Sequence, residues 1–170
     1  MLYGAEPEAI VIPLDATDLQ ILALLQAEGR LSNAELARRI GLTPPPTLER
    51  VRRLERAGVI RGYMARIEPA ALGHHLAVFA TVSLTMHQSD AVEAFMAAVQ
   101  EVPEVLECHH LAGESDYLLK MVVADTADYE RLLRQKLLRL PGVQRIRSSV
   151  VLSAIKEHSP LPIPTAESDT

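Results

Sequence analysis

Between positions 38 and 61 the basic residues are Arg38, Arg39, Arg50, Arg52, Arg53, Arg56 and Arg61, and within that window only Glu49 and Glu55 oppose them. The whole chain carries a formal charge of −5, so this positive charge is local. Every one of these cations is arginine, whose planar fork fits phosphate oxygens and the O6/N7 edge of guanine. A basic patch on an acidic chain is the footprint of a polyanion, because phosphate neutralisation and counterion release dominate nonspecific affinity. The chemistry implied is recognition of double-stranded DNA. The plain alternative is a helical hairpin with solvated arginines, and the local charge excess weighs against it.

These arginines need helices to present them. Ser32 followed by Glu35 is a capping box that starts a first helix, and Leu36 and Ile40 fall on one of its faces. Gly41 supplies the turn. The second helix carries Leu48, Val51 and Leu54 as its inward stripe and stops near Ala57, with Gly58 as the terminator. Helix, glycine turn and basic helix make a helix-turn-helix of the kind that docks in the major groove. The run Thr43-Pro44-Pro45-Pro46 stiffens the entry, and because each proline disfavours helical backbone in the residue before it, helical geometry is expected only from Pro46. Arg50 and Arg53 are the first candidates for DNA bases, Arg38, Arg39, Arg52 and Arg56 for phosphates. Thr43, Pro45 and Thr47 complete the candidate interface, Pro45 and Thr47 as a stiff apolar surface for thymine methyls.

A second constellation lies at Gly113-Glu114-Ser115-Asp116. Gly113 permits close approach of a ligand to backbone. Glu114 and Asp116 place two carboxylates at one turn, where they could hold an ammonium group, while exposed strand N–H groups could hold a carboxylate. Ser148 is a candidate polar partner from the same or a neighbouring subunit. From residue types alone, a solvated acidic turn is the better reading. The histidine pairs His74-His75 and His109-His110 lack zinc-ligand spacing, and His109 and His110, adjacent on a strand, point to opposite faces. Cys108 faces away from both its neighbours by the same rule. No metal site, cofactor or catalytic residue is expected, and no nucleophile motif or phosphate-cradling glycine loop is present.

At 170 residues the chain has room for one medium domain or two small ones. Tryptophan is absent and aromatics are few, which argues against single-strand binding by base stacking. A single cysteine excludes an internal disulfide framework and fits a reducing compartment. No run approaches a membrane span, and Met1 to Pro13 lacks the pattern of a signal peptide, so the expected location is the cytoplasm with no membrane partner.

The expected fold is α+β. Residues 1–13 form a flexible arm. Residues 14–62 form a DNA-binding domain, its first helix starting near Asp15 with Leu19, Ile21, Leu22 and Leu25 or Gln26 on its apolar face. Residues 63–75 are a hinge strand and linker, with alternation from Arg61 to Ile67. Residues 76–157 read as strand Leu76–Thr85, helix Asp90–Glu101, strands Glu104–Leu111 and Asp116–Val123 joined by a tight hairpin, a helix from Asp125 or Thr126, and strand Val143–Leu152. That order, βαββαβ, is ferredoxin-like. Residues 158–170, proline-rich and polar, are expected to be disordered.

With both halves in view, the chain resembles the Lrp/AsnC family, the leucine-responsive or feast/famine regulators, from about Leu14 to Ile155. The runs that carry the resemblance are LDATDLQILALLQAEGRLSNAELARRIGL, TLERVRRLERAGVIRGY, ECHHLAGESDYLL and LLRLPGV, in family order and at family spacing. The resemblance implies a winged-helix-like DNA-binding domain and a ferredoxin-like domain that binds an amino acid. It implies homo-dimers formed by pairing of the C-terminal sheets and assembling to octamers or larger rings. It also implies an effector held between dimers near the hairpin, which makes Leu111, Gly113, Glu114, Asp116 and Ser148 the effector candidates. The chain departs from the family in its three prolines, which are stiffer than the usual Ser-Pro opening, and in Glu114 and Ser115 at the hairpin. The expected function is a non-enzymatic, sequence-specific transcriptional regulator. The alternative is a ligand-independent architectural protein that bends DNA.

Overall fold

The computed structural model describes residues 12–85 and 89–164. It divides into two compact units, one reaching to Ala65 and including the segment from Lys156, the other running from Arg66 to Ile155.

Among its described residues the first unit holds three helices, α1 (Ala16–Ala27), α2 (Asn33–Arg39) and α3 (Pro44–Arg56). Asp15 caps α1: its carboxylate accepts from the Asp18 N–H at 2.8 Å, and the Asp18 carboxylate accepts from the Asp15 N–H at 3.0 Å. This reciprocal box satisfies two of the donors that a helix start leaves unpaired. The box expected at α2 forms only halfway. Ser32 accepts from Glu35 N–H at 3.2 Å, but the Glu35 carboxylate turns to Arg38 and Arg39. Gly41 and Gly58 both take left-handed backbone, φ +71° and +67°, where a side chain would be strained.

Helix α3 begins at Pro44, not at Pro46. The prolines occupy its first three positions, where no preceding turn exists for their rings to strike. There they delete three N–H groups that would otherwise lack partners. Thr43 accordingly makes no side-chain cap, and the first bond of the helix is Thr47 N–H to the Thr43 carbonyl at 3.4 Å. Ile21, Leu36, Val51 and Leu54 form the core of this unit, with Ile12, Leu25, Ile40 and Ile60 packed against it. Most of the expected flexible arm lies outside the described residues, but Ile12 belongs to this core. No strand forms among residues 61–68, which run exposed and irregular.

The second unit is a four-stranded antiparallel sheet of β1 (Leu76–Leu84), β2 (Val105–His110), β3 (Tyr117–Val123) and β4 (Val143–Val150), in the order β2-β3-β1-β4. Helices α4 (Ser89–Gln100) and α5 (Thr126–Gln135) complete the βαββαβ order. Val78, Ala80, Val82, Leu119 and Met121 project from one face of the sheet onto Phe95, Val99 and Leu132 of the helices. Alternation then sends Phe79, Thr81, Leu118, Lys120, Arg145 and Arg147 to the opposite face. Phe79 remains 36% exposed there.

The segment expected to be a free tail is in part seated. Leu161–Pro164 lies against the first unit, held by Gln26. Positions 165–170 fall outside the described residues.

Candidate nucleic-acid interface

Helix α3 sorts its residues by face. Thr47, Val51 and Leu54 are buried, while Pro45, Glu49, Arg52 and Arg56 are exposed at the spacing i, i+4, i+7 and i+11. That spacing is one continuous outward stripe of a helix. Thr47 therefore does not join Pro45 on the surface: its hydroxyl donates to the Thr43 carbonyl at 3.0 Å inside the unit. Of the two residues expected to offer a surface to thymine methyls, only Pro45 is exposed.

The arginines are less free than their sequence window implies. Carboxylates from outside the window fold onto them. Arg50 bonds Asp15 at 2.7 Å and Asp18 at 2.9 Å, and Arg53 bonds Asp18. Arg39 bonds Glu28 at 2.6 Å and Glu35 at 2.8 Å; Arg38 bonds Glu35 at 2.7 Å. Arg56 bonds Glu49 at 2.9 Å. Among the described residues of α2 and α3, Arg52 alone of the arginines has no such ion pair. The guanidinium pair Arg38 and Arg39 holds the Glu35 carboxyl down to about 2, Arg56 holds that of Glu49 low, and the Asp18 N–H with Arg50 does the same for Asp15.

These pairs differ in kind. Arg38 and Arg56 are 73% and 64% exposed, so trading a carboxylate for a phosphate costs little. Arg50 and Arg53 instead neutralise Asp18, which has no exposed surface. Removing them would leave a buried charge unpaired, a far larger penalty. They bind α3 to α1 and fix the angle at which the stripe is presented; their remaining N–H groups stay available. The sequence reading does not single out Asp18, and it counts Glu49 only as a charge opposing the arginines. The Asp15–Asp18 spacing at a helix start was the available signal for the first. The i, i+4 relation of Pro45 and Glu49 was the signal for the second.

The hairpin after β2 is closed by Leu111 N–H to the Asp116 carbonyl at 2.8 Å. The Asp116 carboxylate accepts from Leu84 N–H at 2.7 Å, where β1 slips register against β4, so this carboxylate is already engaged in the fold. Glu114 is exposed, and nothing lies within 4 Å of where a Cβ on Gly113 would stand. Ser148 bonds the Tyr129 hydroxyl. It pairs with Ala80 on β1, two strand spacings (roughly 9–10 Å) from β3. One chain does not bring Ser148 to the hairpin tip. Elsewhere on β2, His109 pairs with Glu107 at 3.0 Å, His110 stacks on Tyr117, and desolvation pushes the Cys108 thiol up.

Residues 14–61 match the winged helix-turn-helix DNA-binding family, and residues 77–161 match the Lrp/AsnC ligand binding domain. The chain belongs to the Lrp/AsnC family. It is 49% identical over 152 residues to the leucine-responsive regulatory protein of Salmonella typhimurium, covering 89% of this chain and 93% of that one. It is 48% identical over the same length to the Escherichia coli protein of that name. Among solved structures it is similar to a Neisseria meningitidis transcriptional regulator in complex with L-Met (43% identity, TM-score 0.84, 88% and 97% of the two chains). It is likewise similar to the feast or famine regulatory protein of M. tuberculosis complexed with L-methionine (36% identity, TM-score 0.80, 89% and 100%). This Lrp/AsnC protein is a DNA-binding transcriptional regulator with an N-terminal helix-turn-helix and a C-terminal ligand-binding unit. Among its described residues no helix is long and apolar enough to cross a membrane.

Proposed function

We propose that the outward stripe of α3 reads DNA, with Arg52 and Arg56 as its principal cations and Pro45 and Glu49 facing base edges between the phosphates. Arg38 and Arg39 on α2 reach the flanking backbone, and the unshared donors of Arg50 and Arg53 add contacts at the helix flank. The observation that carries this reading is the anchored helix: α3 is tied to buried Asp18, yet exposes Arg52 without an ion pair. A glutamate can accept from the cytosine amino group, as arginine donates to guanine, so Glu49 gives the stripe a base preference of its own.

The ligand of the second unit is an amino acid, as the methionine complexes of two relatives suggest. Its α-ammonium group faces Glu114, and backbone around Gly113 has the open space to approach it. Because Ser148 and the hairpin are apart in one chain, the site is completed between copies. The exposed sheet face around Phe79 pairs two chains, and pairs of chains assemble further towards an octamer. The protein works in the cytoplasm and has no enzymatic step. The match of the second unit to a ligand-binding family favours this reading over a purely architectural one.

A thermal-shift screen of the twenty amino acids, with light scattering on each hit, tests the sensing role. A ligand at 100 times its dissociation constant adds about 2.7 kcal/mol, which moves the transition by several degrees. A selective shift with an apolar amino acid is expected. No shift with any amino acid, with operator DNA absent or present, contradicts the reading.

A further inference from the structure

The described chain ends in Pro160-Leu161-Pro162-Ile163-Pro164, in which proline alternates with an aliphatic residue. Such a run is pre-set to the extended polyproline conformation and loses little entropy when it docks. Here it docks on the unit the chain began with. The Gln26 side-chain amide donates to the Leu161 carbonyl at 3.2 Å and accepts from the Leu161 N–H at 2.7 Å. One amide thus reads both backbone groups of one residue, fixing register and direction together. The groove beside it, about 390 Å³, is walled by Leu19, Leu22 and Leu25 of α1, by Ile60 and Tyr63, and by the segment itself. Ile163 is the half-buried anchor, while Leu161 stays 76% exposed. Two solvent-accessible hydrogen bonds and one partly buried aliphatic side chain make a contact that can open.

The topology gives this contact a consequence. The chain leaves the DNA-binding unit at Ala65, builds the ligand-binding unit, and returns from Lys156. A seated segment ties the two units together twice, once through the chain after Ala65 and once through the chain before Lys156, whose far end the Gln26 hydrogen bonds hold; an unseated one leaves only the first tie. The second connection begins within a few residues of β4, the strand that carries Ser148.

We propose that Pro160–Pro164 is a detachable polyproline strap, seated by Gln26, that restricts the swing of the DNA-binding unit. Opening the strap frees that unit to reorient; seating it holds the unit on two tethers.

Time-resolved fluorescence anisotropy on full-length protein tests this without DNA or effector, so its failure leaves the DNA-binding and sensing readings untouched. The dye is placed at exposed Gln20 (Gln20→Cys in a Cys108→Ser background). Leu161→Pro removes the N–H that Gln26 accepts, and a chain ending at Ser159 removes the strap. Leu161→Ala keeps the backbone that Gln26 reads. Leu161→Pro, Gln26→Ala and the shortened chain are expected to show a larger fast-decay amplitude than the parent, with Leu161→Ala equal to it. Hydrogen exchange of the Leu161 amide should accelerate about tenfold in Gln26→Ala, the effect of losing one such hydrogen bond pair. Equal amplitudes in all the chains, or a Leu161→Ala chain that behaves like Leu161→Pro, would overturn the proposal.

Discussion

The carboxylate of Asp18, in the first turn of α1, bonds the guanidinium of Arg53, near the end of α3, while its other oxygen takes Arg50. Asp18 is fully buried and also closes the cap of its own helix through the Asp15 N–H. One side chain therefore starts α1 and sets the tilt of α3. The position of the outward stripe follows from a carboxylate that never touches solvent.

Asp18→Asn keeps the shape and loses the charge, leaving two guanidinium groups without their buried partner. It should lower stability by about 3 kcal/mol, seen as a drop of several degrees in the melting temperature. Arg53→Ala, with Arg50 still in place, should cost less, and the two substitutions combined should cost clearly less than their sum. Additive losses in a double-mutant cycle would contradict the direct bond.

Pro45 and Thr47 are two residues apart, on opposite faces of α3, and should separate cleanly. Thr47→Ala removes a buried hydroxyl bonded to the Thr43 carbonyl and should cost about 1 kcal/mol without altering DNA preference. Pro45→Ala should change stability by less than about 1 kcal/mol and weaken DNA binding. Melting curves and filter-binding on the same preparations check both.

Glu35 gives a pH prediction. Its carboxyl is held at about 2, below the ordinary 4.5, first by the hydrogen bond from Arg38 and then by that from Arg39. A depressed carboxylate contributes stability that is full above its unfolded pKa and is lost as pH falls through the folded one. The α2 contribution should therefore fade between about pH 4.5 and 2, and carboxyl NMR should place the Glu35 midpoint near the lower limit. In Arg38→Gln the midpoint should rise towards the ordinary value. A Glu35 midpoint near 4.5 in the parent would contradict the pairing.

The βαββαβ order and the helix-turn-helix were legible because period-2 and period-3.6 patterns are local, and Gly41, Gly58 and Gly142 punctuate them. The state of the arginines was not. Asp15, Asp18 and Glu28 lie outside the basic stretch in sequence and reach it only through packing, so a window count overstates its charge. The start of α3 at Pro44 is hidden because two effects compete there: a proline disfavours helical backbone in the residue before it, but a helix start has no intrahelical partner for its first N–H groups. The strap was invisible for a related reason. A proline-rich end reads as solvated until a distant glutamine supplies a partner for its backbone. At the hairpin the turn itself is legible, but the engagement of Asp116 with Leu84 depends on a register slip that no sequence pattern announces.

The two hairpin carboxylates should behave differently. Asp116→Ala strips the Leu84 N–H of its acceptor and should destabilise the protein by about 1–3 kcal/mol. Glu114→Ala should leave the melting temperature unchanged and blunt the shift produced by an added amino acid. Full response in Glu114→Ala would remove this residue from the effector site.

Phe79 tests the assembly. Phe79→Asp places a charge on the exposed sheet face without touching the helix-covered core and should lower the scattering mass of the particle in solution. An unchanged mass would exclude that face as the pairing surface.

The most direct test of the account is Arg52→Ala, measured on a tight-binding sequence selected from a random pool and on random DNA, across a salt series. Arg52 has no ion pair to lose, so stability should stay within about 0.5 kcal/mol of the parent's. Affinity for the selected sequence should fall about tenfold or more, or, for a phosphate contact, the slope of log K against log salt should flatten by about 0.9 on both DNAs. An Arg52→Ala protein with the parent's affinity and the parent's slope would contradict the account, since the outward stripe of α3 would not be the surface that meets DNA.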